Sequence, residues 1–247
     1  MIELLKKAID AHGGLDRWSQ VDRVSATFKA AGVGFVQRGP VAEAFTKQAM
    51  KATIYTREQR STFEPFIASD QRGVYEPSRT LIEKSGGRPI AVLDHPRDSL
   101  VNMIPGTPWS APQVLYFIGY SLWMYFTLPY SFLLDDVKCE EVEPWIENGE
   151  SWRALKVTYP PTFPSHSPEQ IHYFDEKGLM RRQDYTVDVR QNLSTAHYID
   201  DHVKVDGLWF ATKRRIYVRG QDGVPLFDKL LIAADFSDVT VHKSSEE

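Results

Sequence analysis

The chain has 247 residues, a net charge of -4 and a hydrophobic fraction of 42%. A chain of this length can bury a large core, and its weakly negative charge provides no field that would attract nucleic acid. Its single cysteine, Cys139, excludes an intrachain disulfide and the zinc motifs that need paired cysteines. These features predict a globular protein of one domain, residues 1–247, in a reducing compartment such as the cytoplasm.

The first predicted element is an amphipathic helix. Ile2, Leu5, Ile9 and His12 recur at helical spacing, and Gly13 follows them as a stop signal. Charged residues interrupt this segment, whereas a secretory signal needs an unbroken apolar stretch. The amino terminus therefore supports the expectation of a cytoplasmic protein.

Short segments with alternating apolar residues follow, from Asp22 to about Leu93 and again after Asp135. Gly, Pro, Ser and Asp separate these segments, a pattern typical of consecutive antiparallel strands joined by turns. We expect about ten or eleven strands, one of them in the segment Glu43 to Thr56.

Two basic runs, Arg181–Arg182 and Lys213–Arg215, lie in the later strand segments. We expect them on exposed strand faces, because the chain has no extended basic stripe of the kind that binds phosphate backbones. The sequence therefore predicts no nucleic-acid partner.

An insertion of about residues 97–134, uncharged from Ser99 to Leu134, separates the two groups of strands. An antiparallel sheet of this size must curl or close, and its inner face must then be covered. We expect the insertion to be that cover.

The insertion contains one predicted helix with clear ends. Ser110 is the expected N-cap and Gln113 its capping-box partner, so the helix should begin near Ala111. Pro129 should end it near Phe126, because proline cannot continue a helix. Such a helix is roughly 24 Å long, less than the roughly 30 Å of a membrane core, so we predict no transmembrane span.

Both ends of the chain resemble LolA-like lipoprotein-carrier proteins. In "AIDAHGGLDRWSQVDRVSATFKAAG", a helix ends in a Gly-Gly pair, a tryptophan follows and the first strand begins, while "HYIDDHVKVDGLWFATKRRIYV" is similar to the penultimate hairpin of these proteins. Middle segments such as "WMYFTLPYSFLL" look like a distinct bacterial family of unassigned function within that superfamily.

The resemblance implies an α+β fold in which a strongly curved, incomplete antiparallel β-barrel wraps around the N-terminal helix and the apolar insertion. It also implies a pocket for an acyl chain or another lipid. The known carriers are exported, so we expect this chain to share the lipophilic pocket and not the lipoprotein cargo.

Aromatic side chains of the insertion are the candidate binding residues. Three of them, Tyr116, Tyr120 and Trp123, form one stripe of the predicted helix. Plain core packing, a pocket lining with tyrosine hydroxyls as anchors, and insertion into a membrane surface are the alternatives. The leading hypothesis is binding of a hydrophobic small molecule or lipid by Tyr116, Phe117, Tyr120, Trp123, Phe126 and Tyr130.

A second set of candidates is polar. In "HSPEQIHYFDEKGLMRRQDY", a hairpin could bring His172 close to Arg182 or Asp184. Histidine with a carboxylate can act as a general base or bind zinc or iron, but the spacing matches no established metal motif and we assign no metal ligands. The alternative function is an enzyme acting on an apolar substrate, with or without a metal, through His166, Glu169, His172, Arg182, Asp184 and His197.

The alternation of strand residues puts a limit on this cluster, because His197 and His202 should lie on opposite faces of one strand. Exposed cross-strand pairs would explain the same polar residues without any catalysis. A third hypothesis is a scaffold that docks a partner through exposed aromatic residues. The sequence specifies no particular ligand, cofactor or oligomeric state.

Overall fold

The computed structural model of the protein describes residues 1–84, 86–101, 103–104 and 106–244. Within these residues, thirteen antiparallel strands form one open, curved sheet, so the predicted fold class is confirmed and the predicted number of strands is too low. The strands are β1 (Val21–Ala31), β2 (Met50–Tyr55), β3 (Arg60–Glu64), β4 (Gln71–Glu76), β5 (Arg79–Lys84), β6 (Pro89–Asp94), β7 (Lys138–Glu147), β8 (Glu150–Thr158), β9 (Glu169–Phe174), β10 (Met180–Val187), β11 (Leu193–Val205), β12 (Leu208–Arg219) and β13 (Pro225–Lys243).

Short helices and one long helix accompany the sheet. They are α1 (Glu3–His12), α2 (Leu15–Trp18), α3 (Val33–Val36), α4 (Pro40–Phe45), α5 (Pro96–Val101) and α6 (Ala111–Thr127), with 3-10 turns at Tyr130–Leu133 and Asp188–Arg190. The predicted apolar face of α1 is buried, because Leu5, Ile9 and His12 pack into the core. No helix within the described residues is both long and apolar enough to cross a membrane.

The order of the strands explains the position of the insertion. Strands β1 to β6 run from the middle of the sheet to one edge, and β7 to β13 run from the opposite edge back to the middle, where β13 pairs with β1. The chain must therefore pass from one edge of the sheet to the other between β6 and β7. Helices α5 and α6 make this passage, and α6 packs over β2 to β6.

Local signals determine both ends of α6, as predicted. The Ser110 backbone N–H donates to Oε1 of Gln113 at 2.9 Å, which is one of the two hydrogen bonds of a capping box. At the other end, Leu128 has an extended backbone (φ -69°, ψ 140°), as expected for a residue that precedes a proline. The predicted span Ala111 to Phe126 agrees with the observed helix to within one residue.

Helix α6 lies unusually close to the sheet at β4. A Cβ atom on Gly119 would overlap the ring of Tyr75, and a Cβ atom on Gly73 would lie only 2.7 Å from Leu115 Cδ1. The two glycines therefore allow the helix and the strand to approach each other. This contact fixes the position of one side of α6.

Two strand predictions differ from the structure. Residues Pro40–Phe45 form α4, so a strand does not begin until Met50. Gly39 and Pro40 account for the helix, since proline is favourable in the first turn, where its missing N–H has no partner to lose. Strand β6 was not predicted, because its residues are half-buried or exposed and show little apolar alternation.

Candidate functional site

A row of polar side chains crosses the inner face of the sheet below α6. Residues His172, Gln183 and His197 lie opposite one another on β9, β10 and β11, and all three are fully buried. The row continues into neighbouring residues of the β8–β9 loop, β10 and β12. We call the whole set the inner-face cluster: His166, His172, Gln183, Tyr185, His197 and Arg214.

His166 connects the inner-face cluster to α6. Its Nδ1 atom lies 3.1 Å from the hydroxyl of Tyr120, and its ring stacks on Tyr185 with centroids 4.1 Å apart. The loop that carries it is held by Arg97, whose Nη1 donates to the carbonyl of Ser165 at 2.9 Å. The β8–β9 loop thus places an imidazole in the core, where it contacts the predicted aromatic stripe.

Arg214 lies on β12 at the carboxyl end of α6. Its Nη2 donates to the carbonyl of Tyr125 at 3.0 Å, an oxygen that lacks its usual helical partner because Pro129 has no N–H. The guanidinium also lies 4.2 Å from the centroid of the Tyr125 ring, and its Nη1 is 3.5 Å from Nε2 of His197. Among the described residues, no carboxylate forms an ion pair with Arg214.

The arginine of the inner-face cluster is charged at neutral pH, whereas its three histidines are not. Burial, with a contribution from Arg97, lowers the pKa of His166 to about 3, and burial with Arg214 does the same for His172. Burial, Arg214 and the two other histidines hold the pKa of His197 well below its ordinary value. Burial lowers the pKa of Arg214 to about 10, so at neutral pH Arg214 is charged and the imidazoles are neutral.

Several polar atoms of the cluster have no hydrogen-bond partner within the described part of the chain. They include both ring nitrogens of His172, Nε2 of His166, Oε1 of Gln183 and Nε of Arg214. A buried polar atom without a partner costs about 1–3 kcal/mol, and such atoms are rare in folded proteins. Their concentration on one face of the sheet marks this region as a candidate binding site.

A small cavity adjoins Arg214. Its volume is about 10 Å³, room for roughly one water molecule. His202 also lines this cavity, and its ring lies 6.4 Å from that of His12. Strand alternation predicts instead that His202 lies on the opposite face of β11 from His197. Asp201 interrupts the regular strand with a φ of 52°, which accounts for this difference.

Arg182 and Asp184 lie on the opposite, outer face of β10. Nε and Nη2 of Arg182 donate to the two oxygens of Asp184 at 2.7 and 2.9 Å, and Nη1 donates to Glu147 at 3.2 Å. Arg219 also donates to Asp184 at 3.1 Å. Two cations and two carboxylates thus balance in what we call the outer-face ion cluster: Arg182, Asp184, Glu147 and Arg219.

The six polar candidates therefore do not converge, and the prediction that His172 lies near Arg182 or Asp184 is wrong. Met180 pairs with Phe174, which would place Arg182 opposite His172, but a bulge between Met180 and Arg182 shifts the pairing by one residue. A shift of one residue exchanges the two faces of a strand. The inner face therefore holds His166, His172 and His197, the outer face holds Arg182 and Asp184, and Glu169 is exposed.

The basic runs also differ from the prediction. Arg182 is 0% exposed and Arg214 is 4% exposed, so neither lies on an exposed strand face. Across the described ranges, no group of three or more His, Cys, Asp or Glu residues is arranged to hold a metal ion. A catalytic role for the six predicted residues stays a prediction that the geometry does not test.

All six predicted ligand-binding side chains are buried and pack against protein. They are therefore not available as an exposed docking surface, and their role in ligand binding stays a prediction. The contacts are Tyr116 with Tyr75, Phe117 with Trp109, Tyr120 with His166, Trp123 Nε1 with the carbonyl of Tyr55, Phe126 with Phe236, and Tyr130 stacked on Trp18.

Four residues of the site were not among the sequence candidates: Tyr125, Gln183, Tyr185 and Arg214. The sequence could have indicated Arg214, because in a strand its side chain must point to the opposite face from those of its neighbours Lys213 and Arg215. It could not have indicated Tyr125 and Tyr185, since buried aromatic residues are common in any core.

Comparison with known proteins identifies the fold. No family model and no curated protein matches the sequence. A LolA superfamily protein from Nitrosomonas europaea is similar in structure, with a TM-score of 0.53, 9% identity, and coverage of 98% of this chain and 93% of that one. A domain from Vibrio parahaemolyticus assigned to outer membrane lipoprotein sorting has a TM-score of 0.52, 8% identity, and coverage of 98% and 95%.

Proposed function

We propose, on the premise that the chain has the LolA-like fold, that it binds a hydrophobic small molecule or lipid between α6 and the inner face of β9 to β12. The observation that carries this proposal is the environment of α6. The helix is apolar and buried along its length, yet the sheet residues facing one side of it include polar atoms without partners. We call this contact between α6 and the inner-face cluster the seam.

The two sides of α6 are held differently. Towards β4, backbone and ring are in direct contact at Gly119 and Tyr75. Across the seam, α6 makes ring contacts, such as Tyr125 with His197 at 5.0 Å between centroids, and two hydrogen bonds, one with His166 and one with Arg214. A ligand that separates α6 from the sheet would therefore open the seam and leave the β4 contact in place.

Larger clefts on the surface are less suitable for such a ligand. One of about 460 Å³ lies on the outer side of β1 to β5, and its lining includes Arg23, Lys51, Glu64 and Arg72. Sites for apolar ligands are lined mainly by hydrophobic and aromatic side chains, which α6 offers on its side of the seam and this cleft does not.

The similar structures support a lipophilic ligand. One of the two, the domain from Vibrio parahaemolyticus, is assigned to the sorting of outer membrane lipoproteins, which are proteins that carry lipid. We transfer to this chain only the handling of a lipophilic molecule, since an identity of 8% supports the fold and not the cargo.

The enzyme hypothesis has weaker support in the site. An efficient general base has a pKa near the working pH, whereas the pKa values of His166 and His172 are lowered to about 3. No carboxylate of the inner face is placed to stabilise a protonated imidazole among the residues described. Binding therefore remains the function that the geometry supports best.

Calorimetric titration of the delipidated protein with lauryl alcohol tests the proposal. We expect saturable binding of about one molecule per chain, with a negative heat-capacity change from the burial of apolar surface. Absence of saturable binding for both lauryl alcohol and the C12 acid laurate would reject it.

A further inference from the structure

We propose that the ligand is a lipophilic carboxylic acid and that Arg214 binds its carboxylate. This inference rests on the proposed function, because the apolar tail of the acid would lie in the seam. It names the head group, which neither the fold nor the apolar character of α6 specifies.

The first step is the charge of Arg214. An isolated buried charge is unfavourable, and proteins usually pair such a group with an opposite charge. The same sheet does this for Arg182, which binds both Asp184 and Glu147. Arg214 is 4% exposed and forms no ion pair with any carboxylate in the described residues.

The second step is to identify which donor groups of Arg214 are already used by its contact with α6. The carboxyl end of a helix carries about half a negative charge, and Arg214 binds there through Nη2 and the Tyr125 carbonyl. That bond occupies one donor group. Nε has no partner, and Nη1 has only the 3.5 Å contact with His197. Capping of α6 therefore accounts for one part of the guanidinium and leaves donors for another acceptor.

The third step is the match between the site and a carboxylate. A planar carboxylate accepts two parallel N–H bonds from a guanidinium, and Nε and Nη1 of Arg214 are the donors that remain for it. One uncompensated positive charge matches a monoanion. A doubly charged phosphate would leave an excess buried negative charge.

The fourth step is the path for the apolar part of the ligand. The cavity beside Arg214 holds about 10 Å³, so a head group enters only if the walls of the cavity move apart. The walls of this cavity are suited to an alkyl chain, because they include Leu128, Met180, Ile199 and Phe210. The guanidinium would thus anchor an otherwise apolar molecule.

Paired titrations with laurate and lauryl alcohol test the inference, since the two probes share a C12 chain and differ in charge. On the wild-type chain we expect laurate to bind at least about tenfold more tightly, the minimum for a charged hydrogen-bonded pair. Arg214→Gln should abolish this preference, because glutamine keeps an N–H for the Tyr125 carbonyl but carries no charge for the carboxylate. Arg215→Gln is the matched control, as Arg215 lies on the outer face and pairs with Asp235.

Each outcome is decisive. Equal affinity of the wild-type chain for both probes, or an unchanged preference in Arg214→Gln, overturns the carboxylate assignment and leaves the proposed function standing. Failure of both probes to bind rejects the proposed function and the inference together. If Arg214→Gln does not fold, Arg214→Lys is the second variant: it keeps the charge and should keep part of the preference for laurate, and a complete loss of laurate preference would overturn the role of the charge.

Discussion

Two buried arginines on the same sheet, Arg182 and Arg214, have different partners. Arg182 is surrounded by Trp145, Tyr173 and Tyr198 and is bonded to two carboxylates. Arg214 has similar burial and no carboxylate partner in the described part of the sheet. Because an ion pair left with one member is costly whereas removal of an unpaired charge is not, the two residues should respond differently to the same substitution.

The first prediction compares Arg182→Gln with Arg214→Gln. The first variant leaves buried Asp184 with Arg219 as its remaining cation and removes the cation of half-buried Glu147, so its free energy of unfolding should fall by up to about 5 kcal/mol. The second removes an unpaired charge and should change stability by less than about 1 kcal/mol, or increase it. Urea unfolding of the ligand-free proteins measures both values. An equal, large loss in Arg214→Gln would show that Arg214 is needed for the fold.

The second prediction concerns pH. Burial lowers the pKa of His12 to about 4 and that of His166 and His172 to about 3, so between these values and the ordinary 6.5 the unfolded chain binds more protons than the folded one. The free energy of unfolding is therefore highest above pH 6.5, where these histidines are neutral in both the folded and the unfolded chain. It decreases as the pH falls below 6.5, by up to about 1.4 kcal/mol per pH unit for each histidine.

Urea unfolding at pH 7.5, 6.0 and 5.0 measures this dependence. The interval lies above the ordinary pKa values of carboxylates, so the histidines dominate it. The variant His172→Gln should have a smaller slope than the wild-type chain. Constant stability across the interval would contradict the neutral, buried state of these residues.

At the scale of elements, α6 is a helix with one fixed side and one side facing polar residues. The fixed side depends on Gly119, where any side chain would overlap Tyr75. The other side meets the inner-face cluster through Tyr120 and Tyr125.

The third prediction tests the fixed side. Gly119→Ala should lower the free energy of unfolding by about 1–3 kcal/mol through overpacking, even though alanine favours a helix by about 1 kcal/mol over glycine. Ser121→Ala is the matched control, since Ser121 lies in the same helix and its hydroxyl donates to the Phe117 carbonyl one turn earlier. Thermal unfolding of both variants gives the comparison. A gain in stability for Gly119→Ala would contradict the close approach of α6 to β4.

The elements also show what a sequence can predict. Both ends of α6 were predictable because Ser110 and Pro129 act within one turn of the chain. The pairing of His172 with Gln183 was not, because it depends on a bulge after Met180 that no residue type signals. The buried state of Arg214 followed from alternation once β12 was known to be a central strand, and alternation alone cannot distinguish an inner from an outer face.

At the scale of the whole molecule, the chain first covers one half of a curved sheet and then the other, and α6 connects the two halves across the inner face. The LolA-like resemblance of the segment with α1 and β1 and of the β11–β12 hairpin predicted this fold, and these strands lie near the middle of the sheet, where β13 pairs with both β1 and β12. The single domain and the cytoplasmic location stay predictions. The proposed function places a lipophilic ligand in the seam.

Hydrogen–deuterium exchange with and without saturating laurate tests this placement of the ligand, because it locates the ligand as well as detecting it. We predict slower exchange in residues 111–127 and in β9 to β12, with β3 and β4 unchanged, since the contact of Gly119 with Tyr75 stays closed. Unchanged exchange in α6, or protection confined to the outer cleft lined by Arg23 and Lys51, would contradict ligand binding in the seam.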